Sequence, residues 1–332
     1  MIDKDEHFEK VRDDLRVEQE KLDVGVGQFK RAANTKEYKA ALQEIPFLEE
    51  PEAVKKGMQL LKDKREDMEV RLLVLQKAIS AIAQSAEYVR DCLLITEDKS
   101  DQIELRRAAF NALKVFNFAS NPFVALRPEF MTALRTLLDD PDAALREMAA
   151  EELAKDKDEY VQRRLLDGLT GREEPIVSTA KAIQLLSYDI HTEQYPVVRR
   201  ILENPASDET VKVEAIHALA NDAESKNLLA RLMMDKQQPI EVRMSSAVAL
   251  KTSDFEDFSK IAKPLVTDEN EEKDMRSAVL NALMHHRESK ALYDDNEFMQ
   301  KVRNLRSLTT SGDLKKLTTR FLDSARRQSK KR

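Results

Sequence analysis

The five histidines and the single cysteine are the residues of this 332-residue chain best suited to chemistry. None of the histidines belongs to an H-E-x-x-H motif, a Cys/His cluster or a nucleophile–base arrangement, and no glycine-rich phosphate loop occurs. His285 and His286 are adjacent, so their side chains diverge on a helix and do not form a metal site. Cys92 has no His or Lys beside it in sequence and is expected to be an unreactive helix residue. We therefore predict no catalytic residue, no metal, no cofactor and a chain that is not an enzyme.

A repeated amphipathic helix organises the rest of the chain. In Pro239–Leu250, the residues Val242, Ser246, Ala249 and Leu250 follow the spacing of one helix face, and this face is shallow enough to pack closely on a neighbouring helix. Taking Arg243 as position zero, related stretches place their position zero at residues 106, 146, 179, 212 and 276. A fixed period of this kind is typical of a helical solenoid.

A second set of helices alternates with the first. We expect these outer helices at residues 129–139, 159–169, 194–203, 226–235 and 255–267. Each is followed by a polar turn rich in Asp, Asn or Pro, such as Asp139-Asp140-Pro141-Asp142, where one helix ends and the next begins. The sequence thus predicts antiparallel helix pairs that contact their neighbours in chain order.

This pattern of outer helix, polar turn and Val-Arg-x-x-Ala-x-x-Ala-Leu resembles the HEAT-repeat superfamily over residues 86–286. The resemblance implies an all-α, right-handed α-solenoid of about six helix pairs. Ser178-Thr179 and Glu152 depart from the pattern and put the local packing there in question. HEAT-like deoxyhypusine hydroxylases use His-Glu dipeptides, and HEAT-like DNA glycosylases use Trp; this chain has neither. Phycobilin lyases also share such repeats, which leaves a HEAT-like lyase as an alternative.

The resemblance also suggests a role for the basic residues at position zero. In similar proteins such residues pair with acids in neighbouring turns, and Asp140, Asp142, Asp208, Asp235 and Asp268 are available here. We therefore interpret the basic residues as a structural ladder between repeats and not as an anion-binding row. The ladder residues are Arg106, Arg146, Lys212, Arg243 and Arg276.

Positions +5 and +9 lie opposite the apolar face of the inner helices and are expected to line a concave surface. Most of them are uncharged hydrogen-bonding groups, which suit a peptide or a partner helix better than a phosphate backbone. The predicted partner-binding stripe comprises Asn111, Glu151, Gln184, Tyr188, His217, Asn221, Asn281 and His285. Lys155, Val248 and Thr252 extend it.

Residues 1–85 are predicted to form long helices or a coiled-coil arm. Between residues 52 and 95, apolar residues from Met58 to Leu93 follow a heptad spacing that only Arg65 interrupts. This seam could close against the N-terminal helix of the same chain or form a homodimer. Residues 287–325 are expected to be two capping helices, and residues 326–332 a disordered basic tail.

Composition narrows the class of partner. The net charge of -6 argues against nucleic-acid binding by the body of the chain, which leaves only the basic tail for that function. No apolar run long enough to span a membrane and no signal-like N-terminus occurs, so we expect a cytoplasmic protein. We predict a non-enzymatic scaffold that binds a protein partner, with a nucleic-acid-associated protein or a HEAT-like lyase as alternatives.

Overall fold

The computed structural model describes residues 4–119, 121–286 and 290–329, and these ranges contain twenty α-helices and no strand. The chain divides into two compact units, Met1–Leu153 and Ala154–Arg332. None of the described helices is both long and apolar enough to cross a membrane.

The first unit is a stack of helix pairs. Its helices are α1 (Lys4–Arg31), α2 (Thr35–Glu44), α3 (Pro51–Lys62), α4 (Met68–Lys77), α5 (Ile79–Ala83), α6 (Ala86–Glu97), α7 (Ile103–Ala119), α8 (Asn121–Leu137) and α9 (Ala143–Lys155). Helices α1/α2, α3/α4 and α6/α7 form pairs, and the inner helices α2, α4 and α7 contact one another in order. The outer helices α1, α3, α6 and α8 do the same.

The second unit repeats this arrangement. Its helices are α10 (Glu159–Thr170), α11 (Thr179–Leu186), α12 (Tyr195–Glu203), α13 (Glu209–Ala218), α14 (Lys226–Met234), α15 (Ile240–Ser253), α16 (Phe255–Thr267), α17 (Lys273–Met284), α18 (Lys290–Tyr293), α19 (Asn296–Leu308) and α20 (Gly312–Ser329). Pairs α10/α11, α12/α13, α14/α15, α16/α17 and α19/α20 follow one another, and the inner helices α11, α13, α15, α17 and α20 contact in order. The prediction of an all-α solenoid is confirmed.

Small side chains allow the inner helices to pack closely. On α15, Ser246 is fully buried, and its hydroxyl donates to the carbonyl of Val242 and so needs no outside partner. Ala247 and Ala249 are also buried, and α15 contacts both α13 and α17. The shallow face that the sequence pattern indicates is thus covered on both sides by neighbouring inner helices.

Polar residues fix the helix ends. The Asp158, Asp208 and Asp254 carboxylates accept hydrogen bonds from backbone N–H groups in the first turns of α10, α13 and α16. Ser178 does the same for α11, which explains why Ser replaces Val in that repeat. Pro239 precedes α15 as its N-cap residue and is not part of the first helical turn.

The other departure from the repeat pattern is also accounted for. Glu152 is buried, and its carboxylate lies 3.3 Å from the ammonium of Lys114 on α7. A charged residue is tolerated at this small-residue position because a cation of the same unit neutralises it.

The heptad spacing over residues 52–95 does not correspond to one continuous helix. That stretch forms α3, α4, α5 and α6, and the breaks occur where polar side chains cap the chain: Asp67 begins α4 and Ser85 begins α6. The heptad spacing continues across these breaks because successive helices bury the same face. Met58, Ile82 and Val89 of the seam are buried inside the first unit, so a dimer through it is not supported.

The C-terminal helices extend further than expected. Helix α20 packs on α17 and α19, burying Leu314 and Phe321, and it continues to Ser329. Residues 326–329 of the predicted disordered tail are therefore helical, and residues 330–332 lie outside the described ranges.

Candidate functional site

Four arginines of the inner helices share one anchoring contact. The Nε–H of each donates to the backbone carbonyl ten residues earlier, in the last turn of the preceding outer helix. The pairs are Arg71 with Leu61 at 2.8 Å, Arg106 with Thr96 at 3.0 Å, Arg243 with Met233 at 3.2 Å and Arg276 with Val266 at 3.0 Å. Each arginine is at least nine-tenths buried. The contact satisfies a carbonyl that has no partner within its own helix.

Three of these arginines also bind a carboxylate with both Nη groups. Arg71 donates to Asp101 at 2.7 and 2.6 Å, and Arg106 donates to Asp140 at 3.4 and 2.5 Å. Arg243 donates to Glu271 at 2.8 and 2.7 Å. We call an anchored arginine with its carboxylate a ladder pair. The acid stands two or three residues before the next inner helix, so each pair fixes a helix pair to the turn that follows it.

In two ladder pairs, the pKa of the carboxyl group is held below its ordinary value. The hydrogen bonds from Arg243 lower the pKa of the Glu271 carboxyl, and Glu271 in turn raises the pKa of the Arg243 guanidinium. Burial is the largest single influence on Asp101 and acts to raise its pKa, but the hydrogen bonds from Arg71 and the Gln102 backbone N–H, together with the charges of Arg71 and Lys64, hold the pKa below its ordinary value. These groups are therefore committed to structure and are not poised for proton transfer.

Two predicted ladder residues differ from the four anchored arginines. Arg146 is only partly buried, and its Nη1 donates to the backbone carbonyls of Asp140 and Pro141. Lys212 reaches the side-chain oxygen of Gln238 at 3.2 Å, because a lysine and an amide replace the arginine and the acid. Arg71, which the repeat pattern missed, forms a ladder pair; it lies one period before Arg106, and Asp101 stands in the following turn.

Several predicted acids have other partners. Asp142 pairs with Arg107, Asp208 caps α13, and Asp268 pairs with Lys236. Asp235 accepts from the backbone N–H of Gln237. Glu271, which binds Arg243, was not predicted, because the ladder prediction assigned only aspartates as partners.

The predicted stripe lies on the exposed side of the inner helices. Asn111, Gln184, Tyr188, His217, Asn221, Asn281 and His285 are exposed, and Glu151 is partly exposed. The additional members Val248 and Thr252 are exposed as well. The first unit contributes Asn111 and Glu151, and the second contributes the others from α11 onward.

Four amide side chains of the stripe make no hydrogen bond among the described residues. They are Asn111, Gln184, Asn221 and Asn281; the ring of His285 contacts only the Asn281 backbone carbonyl, at 2.9 Å. Sequence reasoning missed one exposed apolar residue at position +9, Val115, which is 55% exposed. The stripe therefore combines free hydrogen-bonding groups with exposed apolar side chains such as Val115, Tyr188 and Val248.

Side chains suited to covalent or metal chemistry are not grouped in the described ranges. In those ranges, no three His, Cys, Asp or Glu side chains are placed to hold a metal ion. Cys92 is fully buried on α6, and burial raises the pKa of its thiol to about 12, so the nucleophilic thiolate is not populated near neutral pH.

Comparison with known proteins gives fold neighbours only. No family model matches the sequence, and no curated protein matches it. Among solved structures, the complex of CpcE and CpcF of phycocyanin lyase from Nostoc sp. PCC7120 is 18% identical, with a TM-score of 0.37, and covers 82% of this chain and 94% of that chain. Human deoxyhypusine hydroxylase in complex with glycerol is 13% identical, with a TM-score of 0.31, and covers 75% of this chain and 98% of that chain. Both are HEAT-like helical-repeat proteins, and no family is assigned to this chain.

These neighbours correct one prediction. Both are enzymes, so the prediction that this chain is not an enzyme is contradicted and is withdrawn. The error was to infer inactivity from the lack of familiar motifs in a helical-repeat sequence. A site assembled from different repeats leaves no local motif.

Proposed function

We propose that this protein binds a protein partner through the stripe on its inner helices. The observation that carries the proposal is the row of exposed amides that have no hydrogen-bond partner within the described part of the chain, interspersed with exposed apolar side chains. An interface needs both: apolar contacts supply affinity, and polar groups must pair with the partner when water is displaced.

The second unit suggests the kind of partner. Gln184, His217, Val248 and Asn281 stand on α11, α13, α15 and α17, which contact one another in that order. Packed helices lie about 8–10 Å apart, so these four helices span roughly 30 Å. An extended peptide of about nine residues covers that length. An extended segment whose backbone bonds the amides is therefore the preferred ligand.

The test replaces the exposed groups without disturbing the core. We expect the triple variant Gln184→Ala, His217→Ala and Asn281→Ala to lose a partner that the wild-type chain captures by affinity purification and mass spectrometry. The matched control is Gln237→Ala, Asn270→Ala and Gln300→Ala, three exposed polar residues outside the stripe, and it should retain the partner. The thermal midpoint should stay unchanged in both, because exposed substitutions alter stability by less than about 0.5 kcal/mol. Equal capture by both variants would remove the stripe from consideration.

A HEAT-like lyase is the second candidate, in keeping with the architecture shared with phycocyanin lyase. Its test is incubation of the purified chain with a free bilin followed by gel filtration. A visible absorbance band that elutes with the protein would support this candidate, and a colourless protein peak would count against it.

A further inference from the structure

Arg276 is anchored like the arginines of the ladder pairs but has no carboxylate. Its Nε–H donates to Val266, and only 7% of the residue is exposed. Among the described residues, no acid forms an ion pair with its guanidinium, whereas Arg71, Arg106 and Arg243 each bind one. A buried guanidinium that lacks an anion is unfavourable, because its desolvation is not compensated.

The sequence explains the missing acid. In the ladder pairs of Arg71 and Arg243, the acid stands two residues before the next inner helix, α7 or α17. The equivalent residue before α20 is Thr310, and residues 304–310 contain neither Asp nor Glu. The repeat therefore keeps the cation and its anchor but supplies a hydroxyl where the carboxylate would be.

A cavity of about 550 Å³ lies at this position. Arg276 lines it together with Lys273, Lys301, Asn304, Thr309 and Thr310. All of these side chains can donate hydrogen bonds, and three of them are cationic. The donors converge where the neighbouring repeats hold a carboxylate.

Nearby acids offset the positive charge of this cavity only in part. Glu269 also lines it, but it is an exposed residue of the turn. The Asp268 carboxylate accepts from the backbone N–H of Asn270 at 2.9 Å and from Lys236 at 3.1 Å. These bonds and, to a smaller extent, the charge of Arg276 lower the pKa of Asp268, but Asp268 makes no hydrogen bond to the Arg276 guanidinium among the described residues. Lys301 pairs with Glu297 on the exposed side of α19. Lys273 and Arg276 are left to face an incoming anion.

We propose that this cavity binds a carboxylate of an acidic peptide segment from a partner protein. The guanidinium fork takes a carboxylate in the three other repeats, and the planar fork matches that group with two parallel hydrogen bonds. Leu308 lines the same cavity and is 70% exposed, which offers an apolar contact to a side chain beside the acid. None of the stripe residues lines the cavity, so this site goes beyond the stripe and can fail or hold independently of it.

The experiment measures binding of a synthetic probe to the full chain. The probe is a fluorescein-labelled, amidated hexapeptide that alternates Leu and Glu, and its matched control carries Gln in place of Glu. Fluorescence anisotropy should show binding of the Glu peptide and at least about tenfold weaker binding of the Gln peptide. Arg276→Gln should weaken the Glu peptide at least about 30-fold, because the charged fork is lost.

A second variant supplies the missing acid from within the chain. Thr310→Asp should block the peptide to a similar degree and raise the thermal midpoint by about 2–4 °C, since it completes a ladder pair. Thr310→Asn, of nearly the same shape but uncharged, should bind the peptide like the wild type. This comparison holds even if Arg276→Gln fails to fold.

Three results would overturn the proposal. The first is equal binding of the Glu and Gln peptides, or full binding by Thr310→Asp. The second is displacement of the Glu peptide by inorganic phosphate at lower concentration than by acetate, which would indicate a phosphate site. The third is displacement by free succinate at concentrations equal to those of unlabelled Glu peptide, which would indicate a small-molecule site.

Discussion

Helices α4, α7 and α15 carry ladder pairs, whereas α11 and α13, which lie between α7 and α15 in the chain, do not. The difference follows from two positions. A pair forms where position zero is Arg and an acid stands two or three residues before the next inner helix, as at Arg243 and Glu271. Thr179 on α11 cannot supply the cation, and Lys212 on α13 meets Gln238. A bidentate contact thus requires both an arginine and a carboxylate. When either is replaced, the two parallel hydrogen bonds of the guanidinium are reduced to a single contact.

The second unit has another set of ion pairs on its outer helices. Arg199 lies 2.8 Å from Asp222, Lys226 lies 2.8 Å from Asp254, and Lys263 lies 2.7 Å from Asp295. Each of these aspartates also caps the helix or 3-10 turn that follows it. Repeats α12/α13 and α16/α17, which have no ladder pair among the described residues, are therefore still connected to the helix that follows, but through partly exposed pairs whose energies are smaller.

The comparison between buried and partly exposed pairs predicts a large difference in stability. Arg243→Met should lower the free energy of unfolding of the second unit by about 3–5 kcal/mol, because the buried Glu271 carboxylate loses both guanidinium hydrogen bonds and keeps only Lys236, 4.0 Å away, as a cation. Lys226→Met, the matched control on an outer helix, should cost less than about 1 kcal/mol. Urea denaturation of both variants measures this. Similar losses of unfolding free energy in the two variants would show that burial does not make the ladder pairs stronger than the ion pairs of the outer helices.

The pH dependence of stability gives a second test. The pKa of Glu271 is lowered by Arg243 from its ordinary value of 4.5, so the folded state prefers the ionised form. The stabilisation is fully present above that value and is lost as the pH falls through it toward the folded-state pKa. Glu271→Gln should be less stable than the wild type at pH 7, and the gap should narrow below about pH 4.5. Denaturation curves from pH 3 to 7 would show it; a constant gap would contradict the pairing.

The smallest expected effect comes from building a ladder pair where none exists. The double variant Lys212→Arg, Gln238→Glu should show a coupling energy of about 1 kcal/mol in a double-mutant cycle, since each single change leaves the fork without its match. The measurement is again urea unfolding of the wild type, both single variants and the double variant. Additive effects would mean that α13 cannot adopt the ladder geometry.

The architecture could be read from sequence because it depends on repeated features. The outer helices α10, α14 and α16 begin at the residues that the alternating pattern predicts, and the exposure of residues such as Asn281 follows from their position relative to the buried face. The heptad spacing over residues 52–95 was misleading because the period persists through capped breaks, and only the Asp67 and Ser85 caps reveal them.

The pairing of charged residues was less predictable. Some turns contain more than one acid, such as residues 139–142 and 268–272, and which acid meets the guanidinium depends on a shift of one or two residues that a pattern does not fix. Glu271 was overlooked for this reason, and Arg71 was overlooked because Leu72, Leu73 and Val74 replace the small residues of the repeat. Arg276 is the opposite case: the repeat pattern places an arginine at position zero, but among the described residues no carboxylate forms an ion pair with it.

The burial of Cys92 has a practical consequence. It is the only cysteine of the chain, and a fully buried thiol whose pKa is raised to about 12 reacts with alkylating reagents only when the surrounding helices separate. The rate at which iodoacetamide labels the native protein therefore reports how often α6 detaches from its neighbours. The labelling rate of the Cys92 sulfur thus measures how often the first unit opens, without a probe having to be introduced by mutation.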